Sequence, residues 1–133
     1  MDLKQDILDA ATRIGPFARK TTMSYSPSFS ELMNAEVYFK LESQQVTGSF
    51  KARGALNKIL GLPGSEKDKG VVSASTGNHG AAVAYASSKV GIGCSIYVPE
   101  GASKAKLLYM RDHGAKIMVF GNDCVEAEAK ARE

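Results

Sequence analysis

The 133-residue chain has 44% hydrophobic and 23% charged residues and a formal net charge of +3, which is ordinary for a globular protein. This mild charge, without a Lys/Arg-rich block, argues against a nucleic-acid partner. The longest strongly apolar stretch, AAVAYA, is too short to cross a membrane, and the opening MDLKQD has no apolar signal region. We therefore expect a cytoplasmic protein that binds neither nucleic acid nor a membrane.

The first half of the chain predicts helices around one strand. Apolar residues recur at helical spacing before Gly15 and Pro16, and alternation in EVYFKLE predicts a strand with one buried face. A polar connection runs through Ser30, and Gly61 ends the last helix. The predicted elements are a helix over 3–14, a short helix over 31–34, a strand over 37–41 and a helix over 50–60.

The second half alternates regularly between strands and helices. The predicted strands cover 71–75, 95–99 and 116–120, and the predicted helices cover 79–90, 103–113 and the residues from 123 onward. Alternation at this spacing predicts βαβ units with a parallel sheet and right-handed crossovers. The predicted fold class is α/β.

The last predicted helix, VEAEAKARE, reaches Glu133 without a glycine, a proline or another stop signal. We therefore expect the chain to be the front part of a longer protein. A frayed C-terminal helix is the alternative.

The stretch VTGSFKARGA places Lys51 in the first turn of a predicted helix. The positive end of the helix dipole disfavours an ammonium group, and partial burial would further lower the pKa of the amine. A neutral amine is the nucleophile that forms an imine with an aldehyde. This stretch alone favours the alternative of a solvated surface lysine, because most lysines are exposed.

The stretch SASTGNHG follows a predicted strand and opens a helix, at the sheet edge where α/β folds bind ligands. The hydroxyls of Ser75 and Thr76, the amide of Asn78 and the free N–H groups of the helix suit a carboxylate or a phosphate. The spacing lacks the G-x-G-x-x-G fingerprint of dinucleotide sites. An equally supported alternative is a tight turn in which Gly77 provides backbone freedom and Asn78 caps the helix.

The histidines and cysteines predict no metal site. Neither His79 nor His113 has a second ligand at metal spacing. His113 lies in the last turn of a predicted helix, where a structural role is favoured. For His79, the safer interpretation is that its side chain braces the SASTGNHG loop. Cys94 and Cys124 lie among small or apolar residues, and we expect both to be buried free thiols.

Together, ESQQVTGSFKARGAL and SASTGNHGAAVAYA resemble two motifs of the pyridoxal-phosphate enzymes of the tryptophan-synthase-β type, or fold type II. The group that they resemble most is the serine/threonine dehydratases and serine racemases. The resemblance extends from RIGPFARKTT to GAKIMVF. It implies a pyridoxal 5'-phosphate enzyme with a small amino-acid substrate, and a homo-oligomer in the full-length form.

The resemblance also implies roles for individual residues. Lys51 would bind the cofactor as a Schiff base, Phe50 would pack on its pyridine ring, and Asn78 would hydrogen-bond its phenolic oxygen. Lys51 would then remove the Cα proton of the substrate, and loss of the β-hydroxyl would lead to a 2-oxo acid and ammonia. The substrate carboxylate would be bound by a loop of five residues: Ser75, Thr76, Gly77, Asn78 and His79.

Three departures from neighbouring families favour β-elimination of L-threonine or L-serine. Threonine and cysteine synthases tend to carry aspartate where this chain has Ala52, and threonine synthases tend to have GNT where this chain has GNH. Serine racemases have a serine where this chain has Thr76. A racemase-like enzyme and a non-catalytic, truncated α/β module remain the alternatives.

The resemblance further implies two domains. Residues 1–70 would form the N-terminal part of the large cofactor-binding domain, including the Schiff-base lysine, and residues 71–133 most of the small mobile domain. The glycine-rich loop for the cofactor phosphate lies beyond residue 133 in relatives. If the natural protein ended at Glu133, we would expect weak or no cofactor binding and no turnover by this chain alone.

Overall fold

A computed structural model describes residues 2–133; Met1, the first residue of the predicted 1–70 domain, lies outside them. The elements in chain order are α1 (Leu3–Ile14), β1 (Met23–Tyr25), α2 (Pro27–Met33), β2 (Tyr38–Lys40), a 3-10 turn (Glu42–Gln44), α3 (Lys51–Leu60), α4 (Gly64–Lys67), β3 (Val71–Ala74), α5 (Asn78–Val90), β4 (Cys94–Val98), α6 (Lys104–Asp112), β5 (Lys116–Val119) and α7 (Cys124–Arg132).

The second half of the chain forms a parallel sheet in the order β3-β4-β5. The central strand β4 buries Cys94, Ile96 and Val98, as expected for a strand that is flanked on both sides. α5 packs against β3 and β4, and α6 packs against β5 and α5. The predicted α/β class and parallel sheet are confirmed, and each predicted element of this half begins and ends within one residue of its observed bounds.

The core joins the two halves of the chain through α3 and α5. Leu56 and Ile59 of α3 are buried, and α5 is buried continuously over residues 80–87, most of which are small. Small side chains let two helices approach closely. α1 adds Ile14 to this cluster, and Met110 contributes from α6. Burying each large apolar side chain stabilises the fold by about 1.5–3 kcal/mol.

The first half differs from its sequence-based prediction. β1 was not predicted, and it pairs antiparallel with β2. α2 begins at Pro27 rather than at residue 31, because a proline in the first turn is compatible with a helix. The predicted buried face of the strand is wrong: all three residues of β2 are exposed. The cause is that β1 and β2 form a two-stranded ribbon, in which Phe39 packs edge-on against Phe29.

Two further features concern the thiols and membrane insertion. Cys94 is buried, and this burial raises the pKa of its thiol. Cys124 is exposed at the start of α7, so the prediction that both thiols are buried is wrong for Cys124. Among residues 2–133, no helix combines the length and the apolar character that a membrane span requires.

Gly80 lies where α5 has no room for a side chain. A Cβ atom there would lie 2.8 Å from the Ser75 carbonyl oxygen and 2.7 Å from Cε of Met110. The Ser75 oxygen is backbone and cannot move aside cheaply. Gly80 therefore fixes how closely α5 approaches the end of β3 and α6.

We expect G80A to lower the free energy of unfolding by about 2 kcal/mol, because the overpacking outweighs the better helix propensity of alanine. The matched control is G54A in α3, where a Cβ atom would meet nothing within 4 Å. G54A should raise the stability by up to about 1 kcal/mol. Urea unfolding measures both effects, and equal stabilities of the two variants would contradict the steric argument.

Candidate active site

Lys51 is the first residue of α3, and the loop before it has a defined shape. Gly48 has φ +71°, a left-handed conformation that glycine adopts without strain. On either side of it, the side chains of Thr47 and Ser49 are buried. Lys51 is therefore preceded by a largely buried and sterically constrained lead-in.

A buried glutamine holds the start of this lead-in. The side-chain oxygen of Gln45 accepts hydrogen bonds from the N–H groups of Arg19 (2.8 Å) and Val46 (2.9 Å). Its side-chain nitrogen donates to the Arg19 carbonyl oxygen at 3.0 Å. Gln45 is only 3% exposed, so these bonds are shielded from competing water. They fasten the loop to the segment that follows α1.

An ion pair fixes the other side of Lys51. Arg53 donates to Glu42 through Nε (2.8 Å) and Nη2 (2.7 Å), and Thr21 donates to the same carboxylate at 2.6 Å. The hydrogen bonds from Arg53 lower the pKa of Glu42 to about 2. A two-pronged contact of this kind fixes orientation as well as distance. It ties the first turn of α3 to the 3-10 turn before the lead-in.

Lys51 and Phe50 lie at the surface of the described residues. The Lys51 ammonium lies 5.2 Å from the centroid of the Phe50 ring, and Phe50 is 61% exposed. The sequence argument assumed that Lys51 is partly buried, but residues 2–133 leave its side chain exposed. Both side chains line an open groove of about 650 Å³ that α3, α4, β3 and α5 border.

The second predicted motif forms the turn from β3 into α5. The Ser75 N–H donates to the Tyr97 carbonyl oxygen at 3.1 Å, and the Gly77 N–H donates to the Ser75 hydroxyl at 3.3 Å. Gly77 is the N-cap, and α5 begins at Asn78. Asn78 therefore does not cap the helix. Its side-chain oxygen instead accepts a hydrogen bond from Lys106 of α6 at 3.0 Å.

The groove brings together part of the predicted site. Phe50 and Lys51 from the first motif and His79 from the second all line it. Ser75, Thr76, Gly77 and Asn78 are not among its lining residues; they form the turn that leads to His79. The first turn of α5 carries N–H groups that lack acceptors within the helix, so this end of the groove suits an anion.

His113 is not among the residues that line the groove. His113 ends α6 and stacks on Tyr109 with ring centroids 4.3 Å apart. Its Nδ1 lies 2.9 Å from the Tyr109 carbonyl oxygen, which is a structural contact. Within residues 2–133, no group of three histidine, cysteine, aspartate or glutamate side chains is arranged to hold a metal ion.

Sequence reasoning missed the residues that hold the motifs in place. Glu42 and Arg53 are 11 residues apart, Gln45 and Arg19 are 26 apart, and Lys106 and Asn78 are 28 apart. No local periodicity reports contacts over such separations. The one available signal was the position of Gln45 and Arg53 on either side of TGSFK.

The family model described as "Pyridoxal-phosphate dependent enzyme" matches residues 14–133. The chain belongs to this family. The resemblance in the two motifs is thereby confirmed, as is the expectation that the family's cofactor is pyridoxal phosphate.

Relatives of this family member include enzymes that act on hydroxy amino acids. The chain is 39% identical over 128 residues to the catabolic L-threonine dehydratase TdcB of Escherichia coli strain K12, which covers 96% of this chain and 39% of that protein. It is 41% identical over 123 residues to the L-threonine ammonia-lyase of Thermotoga maritima, covering 92% of this chain and 31% of that protein. The chain thus spans less than half the length of these relatives.

Solved structures give the same family. The serine racemase of Dictyostelium discoideum superposes with a TM-score of 0.88 at 39% identity, covering 96% of this chain and 42% of that one. The processed threonine deaminase isoform 2 of Solanum lycopersicum superposes with a TM-score of 0.87 at 30% identity, covering 98% and 38%. These similarities confirm that the chain has the fold of the N-terminal portion of such enzymes.

The residues at the groove fit the family cofactor. The groove offers a primary amine, an exposed aromatic ring and the start of a helix. The buried hydroxyls of Thr47 and Ser49, directly before Phe50 and Lys51, lack a hydrogen-bond partner among residues 2–133, but neither residue lines the groove. A buried hydroxyl without a partner costs about 1–3 kcal/mol.

The ion pair beside Lys51 generates a pH prediction. The folded-state pKa of Glu42, about 2, lies below its ordinary value of 4.5. Its stabilisation is therefore present above pH 4.5 and is lost as the pH falls from 4.5 towards 2. We expect E42Q to cost about 2 kcal/mol at pH 7, less than the full shift implies because Arg53 is 34% exposed.

Urea unfolding of wild type and E42Q between pH 7 and pH 2.5 measures this cost. The difference should shrink through the acid range, whereas E36Q, at an exposed position, should match wild type throughout. A difference between wild type and E42Q that stays constant with pH would contradict the assignment of the low pKa to Glu42.

Proposed function

We propose that the chain carries the N-terminal part of the active site of an ammonia-lyase that dehydrates and deaminates L-threonine or L-serine to a 2-oxo acid and ammonia. The observation that carries this proposal is the shared groove of Lys51, at the start of α3, and His79, at the start of α5. The identities to a threonine dehydratase and a threonine ammonia-lyase support the reaction type.

This proposal assigns tasks to the residues of both motifs. Lys51 holds the cofactor covalently, Phe50 packs on its ring, and Asn78 donates a hydrogen bond to the ring oxygen. The turn Ser75–Thr76–Gly77–Asn78–His79 binds the substrate carboxylate through hydroxyl and N–H groups. The carboxylate is favoured there because the start of α5 is the positive end of its dipole.

The chemistry requires a base that is held still. When bound, the cofactor supplies an electron sink for the pair left behind at Cα. Nζ of Lys51 would accept the Cα proton, which balances the proton that the β-hydroxyl takes up as it leaves as water. Hydrolysis of the resulting 2-imino acid by a water molecule would then give the 2-oxo acid and ammonia. The contacts of Gln45 and Arg53 fix the chain on either side of Lys51, which matters because small misplacements of a base slow proton transfer.

The resemblance also supports proposals about domain organisation, oligomeric state and location. Residues 1–70 are proposed as the N-terminal part of a large cofactor-binding domain, and residues 71–133 as most of a small mobile domain. We also propose a homo-oligomer and a cytoplasmic location. A non-catalytic α/β module is the competing class, and cofactor labelling distinguishes it from an enzyme.

The test uses the protein expressed from its complete natural gene. Pyridoxal phosphate followed by borohydride should label Lys51, as found by peptide mass mapping. K51A should lose the label and at least about a thousandfold of threonine or serine dehydration, because it lacks both the covalent anchor and the base. K4A, which alters another exposed lysine in the first turn of a helix, should retain both.

Stoichiometric labelling at a different lysine would overturn the assignment to Lys51. Absence of labelling and of turnover in the wild type would favour the non-catalytic module.

Serine racemisation is the second candidate function. The similarity to the Dictyostelium discoideum serine racemase favours it, and Thr76 stands where racemases of the resembling group have serine. A threonine hydroxyl can carry a proton, but its methyl group changes where the hydroxyl sits.

We expect T76S to raise the ratio of D-serine to pyruvate formed from L-serine by about tenfold, because a better placed hydroxyl delivers a proton to the second face of Cα. Chiral chromatography measures the ratio, with T22S at an exposed position as the control. A ratio that stays at the wild-type value would speak against a role of residue 76 in choosing the reaction.

A further inference from the structure

One helix contacts both motif loops. Lys106 of α6 donates from Nζ to the side-chain oxygen of Asn78 at 3.0 Å. Tyr109, on the same helix, donates its hydroxyl to the Val46 carbonyl oxygen at 3.3 Å, directly before the lead-in to Lys51. Residues three apart lie on one helix face. The same face of α6 therefore contacts both motifs.

Tyr109 is itself well held. Its ring stacks on His113 at 4.3 Å between centroids, and Nδ1 of His113 lies 2.9 Å from the Tyr109 carbonyl oxygen. On α5, Tyr85 lies 5.7 Å from His113 and donates its hydroxyl to the Phe17 carbonyl oxygen at 2.8 Å. These contacts hold α6 against α5, and Lys106 contacts Asn78 from this position.

The position of Lys106 is unfavourable for α6 itself. Lys106 lies in the first turn of α6, which contains no acidic residue, and a cation there opposes the helix dipole by about 0.3–1 kcal/mol. Among residues 2–133, the three ion pairs join other residues, so no carboxylate neutralises Lys106. The stability of α6 therefore does not account for a cation at this position.

The contact controls the orientation of the Asn78 amide. An ammonium group can only donate hydrogen bonds, so it selects the oxygen end of the amide. The nitrogen end, with its two N–H donors, then faces away from α6. Without the cation, the two ends of the amide could exchange places, because they are nearly the same in shape.

We propose that Lys106 is a positioning residue of the amino-acid site: it fixes the donor end of Asn78 towards the ligand and adds positive charge beside the carboxylate loop. This inference rests on the proposed function of the loop. The ligand that it favours is an amino acid with a free carboxylate, since that group is the anion that the extra charge attracts. A neutral amide of the same amino acid would lose this attraction.

The test compares K106M and K106R with the control K104M in the complete protein saturated with pyridoxal phosphate. Lys104 is exposed in the same turn. K106M should raise KM for the hydroxy amino acid about tenfold and leave kcat within about threefold, because the charge acts on the substrate and the transition state alike. K106R should restore KM to within about threefold of wild type, and K104M should not change it.

A second measurement does not depend on turnover. The visible absorption maximum of the bound cofactor should shift in K106M, because Asn78 no longer keeps its donor end towards the ring oxygen, and it should return in K106R. Melting temperatures of all variants check that folding is intact. If K106M does not fold, K106Q takes its place in both comparisons.

The outcomes separate the two proposals. A wild type that binds the cofactor but dehydrates neither L-threonine nor L-serine overturns the proposed reaction, while the spectra still test Lys106. The positioning role is overturned if K106M matches wild type in KM and absorption maximum, if K104M reproduces its effect, or if K106R restores neither.

Discussion

The packing of α3 against α5 is the contact on which the candidate site depends. Leu56 and Ile59 of α3 meet a face of α5 that is made largely of alanine and is buried from residue 80 to residue 87. Because these side chains are small, the helix axes can approach closely. The helix starts that carry Lys51 and His79 therefore border one groove, although 28 residues separate them in the sequence.

Apolar packing brings the helices together, whereas polar contacts set the positions of the loops. Gln45 holds the lead-in to Lys51 with three hydrogen bonds that include the backbone of Arg19. The pair of Arg53 and Glu42 fixes the first turn after it. Hydrogen bonds have directional requirements that apolar contacts lack. The position of Lys51 therefore depends on both apolar packing and hydrogen bonds.

The two lysines that are central to the site have a shared electrostatic property. Lys51 and Lys106 each lie in the first turn of a helix, and neither first turn contains an acidic residue. Cations at such positions do not help the helix, so helix stability explains neither lysine.

The sequence by itself determined the α/β class, the bounds of every element from residue 71 onward to within one residue, and the family, since these follow from local periodicity, helix-ending glycines and two short motifs. Tertiary structure alone decided that β2 is exposed, that Gly80 has no room for a side chain and that Lys106 meets Asn78. The physical reason is distance along the chain: periodicity reports a residue's own helix or strand, whereas burial and long-range hydrogen bonds depend on which elements pack together.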